Sequence, residues 1–344
     1  MKKICAAILC LLIAAPLMAD LSSDMETVGN SGFPASSLYF LGGAKALSAG
    51  YAWTVMGDDA TSVFFNPAAL LKLSSTAVSL SYNALAQDRT QAAAAFAYYD
   101  GGGGSYESYM KTPQVFAFSL AYQGIGGVPG FDGSGASTGD LDNSAMMAQF
   151  SYARALGRDA RVGGYGAGLR AIMEDYDGSG AFGLGFNAGI EVSILNFIRL
   201  GGSVNNLGFM NSDAGTLWMK PLLSLAAKLN LPMLPVGLVL QGDKVLGDGR
   251  KLSDFIMRTA IDVTLFSIKS DPDRLAIEAG MSGGMPGYGD DGIFDLVARV
   301  GLVDANDLYG GISLRWNFLE LSYGLGQDPL AGQLRHSISL DIYL

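Results

Sequence analysis

What most constrains this chain is a rhythm. From Thr76 to Leu344, segments of roughly ten residues alternate long apolar side chains with small or polar ones, with Gly, Asp, Asn and Ser at the joins. In PQVFAFSLAYQ (113–123), Phe116, Phe118, Leu120 and Tyr122 share one face, and Ala117, Ser119 and Ala121 the other. In RHSISLDIYL (335–344), Ile338, Leu340, Ile342 and Leu344 oppose Ser337, Ser339, Asp341 and Tyr343. The most apolar stretch, LLSLAAKLNLPMLPVGLVL (222–240), is broken by Lys228, Asn230, Pro232 and Pro235, which excludes a membrane-spanning helix.

Segments this long, with one greasy face and one small or charged face, fit tilted strands of a membrane barrel. A soluble sandwich uses shorter strands and turns its charges outward. The expected architecture is all-β, a transmembrane antiparallel barrel over residues 76–344. Candidate strands fall at 76–86, 89–99, 113–123, 145–155, 159–174, 181–194, 197–207, 220–230, 235–245, 254–266, 273–283, 294–304, 307–316, 318–326 and 335–344. That is an odd number, whereas single-chain bacterial barrels use an even one, so about 14 are expected and one segment is miscounted. Short turns such as Trp316-Asn317 belong on the periplasmic side. Counting back puts the longer 284–293 loop there too, which marks the suspect region.

The first residues fix the compartment expected for the chain. Lys2 and Lys3 precede an apolar run from Ile4 to Leu17, and Ala19 offers a small residue before a cut, so residues 1–19 read as an export signal. Both cysteines, Cys5 and Cys10, lie within it, leaving no thiol for a disulfide, a nucleophile or a thiolate metal site. Without Lys2 and Lys3 the balance is 20 basic against 32 acidic residues, which argues against nucleic acid. Charged residues make up only 16% and glycines number 47, a low-charge, glycine-rich composition that suits a membrane wall.

Catalysis finds little to work with. The one histidine, His336, shares parity with Ile338 and Leu340 and is expected on the outer face. A zinc site needs more histidines than exist, and Asp290-Asp291 sits in a glycine-rich loop that reads as solvated. No cofactor is expected, and no enzyme. GGYGAG (163–168) lacks the helix that a nucleotide-binding loop opens into, so its glycines read as a bend or a close backbone approach. GGGGS (101–105) and PGFDGSGASTGD (129–140) read as flexible loops. Lumenal charge is expected from Arg199, Arg258, Asp262, Glu278 and Arg299, as an ion-paired network rather than a substrate site.

Ahead of the first strand stands GDDATSVFFNPAALLKLSS (57–75). Asn66 can cap a first helical turn and Pro67 fits the position after it, so a short helix is expected over Ala68 to Leu73. With its lead, GGAKALSAGYAWTVMGDDATSVFFNPAALLKL (42–73) resembles the N-terminal signature of FadL-like outer-membrane proteins, closest to the branch of PorV-type and treponemal FadL-like proteins. VNNLG (204–208) and the closing FLELSYGLGQDPLAGQLRHSISLDIYL (318–344) are similar to stretches of that branch. Ala69 replaces the usual glycine after N-P-A, and the chain ends in Leu344 where many barrels end in Phe.

The resemblance implies a fourteen-stranded barrel in the outer membrane, with residues 20–75 folded inside as a hatch containing a short helix. It implies passive uptake of hydrophobic compounds, long-chain fatty acids above all, with exit through the wall. The alternative is a PorV-like scaffold or shuttle for exported proteins; a soluble exported β-sandwich is a third reading. Partners would be outer-membrane lipid and a hydrophobic small molecule, the protein being a monomer. Asn66, Pro67 and Ala68 match the hatch motif, and Asp58, Asp59 and Ala60 the triplet before it. Asn66-Pro67-Ala68 would cap the helix, gate the pore, or both. Phe64 and Phe65 would line a ligand site or anchor the segment. Asp58 and Asp59 would pair with Arg170, Arg199 or Arg258, or cap a turn.

Overall fold

The computed structural model describes residues 41–85, 89–101, 112–131, 135–157, 162–176, 178–195, 197–213, 215–231, 234–246, 255–269, 277–278, 292–303, 307–327 and 334–344. The expected export signal (residues 1–19), with both cysteines, and residues 20–40 of the expected hatch lie outside them.

The strands are β1 (Ala77–Ala84), β2 (Arg89–Asp100), β3 (Gln114–Phe131), β4 (Ser137–Ala155), β5 (Gly163–Tyr176), β6 (Ser179–Leu195), β7 (Ile198–Ser212) and β8 (Gly215–Trp218). They continue as β9 (Leu222–Asn230), β10 (Val236–Val245), β11 (Ile256–Lys269), β12 (Ile277–Glu278), β13 (Gly292–Val303), β14 (Asp307–Trp316), β15 (Leu319–Gln327) and β16 (Leu334–Tyr343). Each wall strand pairs antiparallel with the next, and β1 pairs β16 from Ala77↔Tyr343 to Ala84↔His336. The ring therefore has no open edge, as a sheet in lipid requires.

Fourteen strands make the wall; β8 only extends the β7 hairpin, and β12 touches β11 at Ser267 and Ile268. The miscounted segment is 273–283: β11 pairs directly with β13, and only Ile277–Glu278 of that segment is described. The 129–140 stretch is a correction of another kind. It is not all loop, since Val128↔Leu141, Pro129↔Asp140 and Gly130↔Gly139 are paired. A hairpin that runs beyond the greasy band loses the apolar alternation that would have announced it.

The alternation resolves into two faces. Phe118, Leu120, Phe150 and Leu169 point outward and are 47–66% exposed, while Ser119, Gln149, Ser151 and Arg170 between them are buried inside. In water so large a contiguous apolar surface would drive association, whereas in lipid it is solvated. Aromatic rims flank it: Tyr98, Phe116, Trp316 and Phe318 near the end where the chain closes, and Tyr82, Tyr122, Phe182 and Trp218 toward the other. At the closing end the β14–β15 turn is tight, with Asn317 in the left-handed region at φ 51°.

One irregularity shifts the pattern. Between Phe186↔Leu207 and Ala188↔Val204, β7 carries Asn205 and Asn206 opposite Asn187. This bulge holds Asn206 at φ 61° and turns both asparagines inward. Beyond it Met210 faces the lumen and Leu207 the outside.

Candidate functional site

Residues 41–73 are buried almost without exception, and their partners are inward-facing wall residues from strands all round the ring. This lumenal segment has little regular structure: one α-helical turn, α1 (Ala44–Ser48), and 3-10 helices at Ala60–Phe64 and Pro67–Lys72. Its backbone groups must find partners elsewhere, because the wall's own amides are spent on the strand ladder. Side chains of the wall supply them.

Thr54 N–H donates to Gln241 Oε1 at 3.0 Å, and Gln241 Nε2 donates to Tyr51 O at 3.3 Å. Arg258 Nη1 donates to Gly50 O at 2.7 Å, Asn83 Nδ2 to Gly42 O at 3.0 Å and Asn205 Nδ2 to Phe65 O at 2.9 Å. Val63 O accepts from Gln149 at 2.9 Å and from Asn187 at 3.4 Å, while Ala60 N–H donates to Ser79 Oγ at 3.1 Å. Amides of Asn and Gln suit this work, since they bond without adding charge to a dry interior.

Asn66 is the junction. Its Oδ1 accepts Ala68 N–H at 3.0 Å, capping the second 3-10 helix, and its Nδ2 donates to Thr54 O at 3.0 Å and Ile190 O at 3.4 Å. Pro67 takes the first helical position, and the helix runs on through Ala69 to Lys72. It is 3-10 rather than α, a geometry used in pieces this short, and all six of its residues are buried.

The wall makes room for this junction with glycine. A Cβ on Gly166 would meet Pro67 C at 2.7 Å and Ala68 N at 2.8 Å; one on Gly164 would meet Leu71 Cδ1 at 2.0 Å. The GGYGAG run is thus a seat for the segment, the close approach that its composition suggested. Gly301 and Gly324 do the same opposite Ala49 and Ala44.

Phe64 and Phe65 are both buried, 5% and 7% exposed, and Phe65 stacks on Tyr51 with ring centroids 6.4 Å apart. Their contacts are packing contacts inside the segment and against the wall. The charge partners of the aspartates were misassigned. Lys45, not Arg170, Arg199 or Arg258, sits between them: its Nζ lies 3.1 Å from Asp58, 3.3 Å from Asp59, 3.2 Å from Glu320 and 3.2 Å from Asp341. Arg299 reaches Asp58 at 3.9 Å. Nor does Asp59 cap its helix by side chain; its Oδ1 accepts from the hydroxyls of Thr61 and Ser62 instead. Spacing along the chain could not reveal Lys45, because two of its partners lie some 275 and 296 residues away on closing strands.

Burial works to lower the Lys45 pKa, but the charges of Asp341, Asp58 and Glu320 outweigh it and hold the amine well above the ordinary lysine value. Burial works to raise Asp58, and Lys45 followed by Arg299 hold it down at about 2. Lys72 behaves oppositely. It donates to Val55 O at 2.6 Å and Gly57 O at 2.9 Å and pairs Glu191 at 3.2 Å, yet burial brings its pKa down to about 8 against the pull of Glu191.

The other inward charges pair within the wall: Arg199 with Glu191 at 2.7 Å, Lys228 with Asp262 at 2.9 Å, and Arg258 with Asp243. The side chain of Glu278 lies outside the described residues. In the half away from the chain ends, Met147, Ile172, Met210, Leu222, Val245 and Ile256 are buried on the inner face in one core with the segment. His336 bonds Tyr323 Oη through Nδ1 at 2.7 Å on the exposed outer face, far from any lumenal acid.

No family model and no curated protein matches the chain. Solved structures do. The toluene transporter TodX of Pseudomonas putida aligns at 9% identity over 85% of this chain and 96% of its own, with a TM-score of 0.47. A FadL homologue from Pseudomonas aeruginosa aligns at 11% identity over 88% and 98%, also at 0.47. CdiB from Acinetobacter baumannii aligns at 10% identity and a TM-score of 0.40 over 78% of this chain, which spans only 60% of CdiB.

Proposed function

We propose that this chain is an outer-membrane channel for the passive uptake of hydrophobic compounds, with long-chain fatty acids as the first class to test. The observation that carries the reading is the lumen itself. It is occupied by a folded segment bonded to polar wall residues, and in the half away from the chain ends Met147, Ile172, Met210, Leu222, Val245 and Ile256 of β4–β11 form a buried, inward-facing partial ring of apolar side chains. An open water-filled pore needs no such ring, and a greasy solute gains from one by roughly 25 cal/mol per Å² removed from water. Three methionines at or near the ring (Met147, Met210 and Met219) add pliable, polarisable surface that accommodates varied shapes. In this reading residues 20–75 are the hatch, and Asn66, Pro67 and Ala68 are its seat.

The test is uptake of labelled fatty acid by liposomes carrying the refolded protein. Faster uptake than by empty liposomes supports the channel, and Met210→Asp, which puts a charge in the ring, should reduce it. Uptake equal to that of empty liposomes overturns it, and recovery of exported proteins in pull-downs would then favour the scaffold alternative. A folded monomer without detergent would overturn both.

A further inference from the structure

The two sides of the lumenal segment meet the wall by different chemistry. Toward β4–β7 the contact is close and made mainly by apolar side chains and neutral amides, with one ion pair, Lys72–Glu191: Leu70 and Leu71 are buried, and Pro67 and Asn66 sit over wall glycines. Toward β13–β16 the segment is also seated on Gly301 and Gly324, but the contact centres on an ion cluster: Lys45 among Asp58, Asp59, Glu320 and Asp341, with Arg299 behind Asp58.

These contacts part at different cost. Separating the β4–β7 side exposes mainly greasy surface to water and rehydrates a single ion pair. Separating the ionic side breaks ion contacts but returns strongly hydrated groups to water, whose loss is the main penalty of a buried ion cluster. Water also has a foothold there. A polar cavity of about 20 Å³ lies among Asp295, Arg299, Ser313, Arg315 and Glu320, room for one water molecule. Arg299 Nε is buried there without a hydrogen bond, and Asp58 Oδ1 and Asp341 Oδ2 have none beyond their ion contact with Lys45 Nζ.

We propose that the segment opens on this side alone: Lys45 is the latch, β13–β16 line the path that opens, and the Asn66-Pro67 end stays seated as the hinge. The inference rests on the channel reading only in that the segment moves, and its test needs no ligand. The path so opened is charged and admits water and small ions first.

The experiment places one reporter on each side. Ser313→Cys lines the cavity, and Ser203→Cys sits beside Asn205 under the hinge. Each is exposed to a water-soluble maleimide in the refolded protein, with the chain lacking an introduced cysteine as background. In the native background Ser313→Cys should react faster than Ser203→Cys. Adding Lys45→Met leaves four carboxylates without their cation and should speed Ser313→Cys labelling roughly a hundredfold, with Ser203→Cys unchanged. Adding Asp58→Asn, Asp59→Asn, Glu320→Gln and Asp341→Asn to Lys45→Met should restore slow labelling, because no like charges remain to repel.

Equal labelling of both reporters means the segment leaves whole, and faster Ser203→Cys puts the hinge on the wrong side; either overturns the proposal. So does a native labelling rate in Lys45→Met. Should Lys45→Met lose the heat-modifiable band of a folded barrel, the comparison of reporters in the native background decides. Labelling as expected without fatty-acid uptake would sink the channel reading and leave the latch standing.

Discussion

Gly189 and Asn66 occupy one space. A Cβ on Gly189 would lie 1.9 Å from Asn66 Oδ1, the atom that caps the second 3-10 helix. Gly189→Ala should therefore leave a folded, heat-modifiable barrel but unseat the junction. The overpacking costs about 1–3 kcal/mol, and limited proteolysis within residues 41–75 should become faster. Unchanged protection would show that the segment is not held at Asn66.

Asn66 does two jobs that can be separated. Asn66→Ala loses the cap, about 0.5–2 kcal/mol, and strands Thr54 O without its amide donor. Asn66→Asp keeps the acceptor for Ala68 N–H yet turns a carboxylate toward the Thr54 and Ile190 carbonyls, so it should be the more damaging change. Thermal melts of the two refolded variants give the order directly.

Lys72 makes docking depend on pH. Its docked pKa is about 8 against an ordinary 10.5, so between those values the released segment binds more protons than the docked one. Docking should strengthen as pH rises from about 8 to 10.5 and be flat below 8. Protease protection of the segment, measured from pH 7 to 10, should follow that slope in the native chain and lose it in Lys72→Met. A slope of opposite sign would mean that Lys72 is held by Glu191 more strongly than burial opposes it.

Arg258 ties Gly50 O to the wall and neutralises Asp243. Arg258→Met leaves a buried carboxylate short of its cation and should cost about 3–5 kcal/mol, seen as a lower melting temperature. The double variant Arg258→Met, Asp243→Leu should recover most of it. If the double variant is as unstable as the single one, the guanidinium's bond to Gly50 is what counts.

The barrel was legible because its physics is periodic. Every second residue meets lipid, so Phe116, Phe118, Leu120 and Tyr122 declare their face without any knowledge of neighbours. Register and closure were half legible: the β11–β13 pairing shows up in sequence only as one candidate strand too many. The Asn66 cap could be read because its partner is two residues away. The Lys45 cluster could not, since its acids come from the last two strands, and nothing in AKALS marks a lysine destined for burial. The glycine seats were visible as glycines, but what they make room for appears only when the segment is in place.

The bulge at Asn205–Asn206 gives the wall a reading frame. Below it the inward residues of β7 are odd-numbered (Arg199, Ser203, Asn205); above it they are even-numbered, with Met210 buried. Flattening the bulge with both asparagines still in the strand would exchange the faces of everything above while leaving the lower half untouched. Met210 would go to lipid, Phe209 to the lumen, and the Arg170–Asn206 bond would vanish. Half of one strand thus takes its orientation from a single surplus residue, and deleting Asn206, which straightens the ladder and keeps every face, is a different experiment from a substitution that flattens the bulge with the residue still in place.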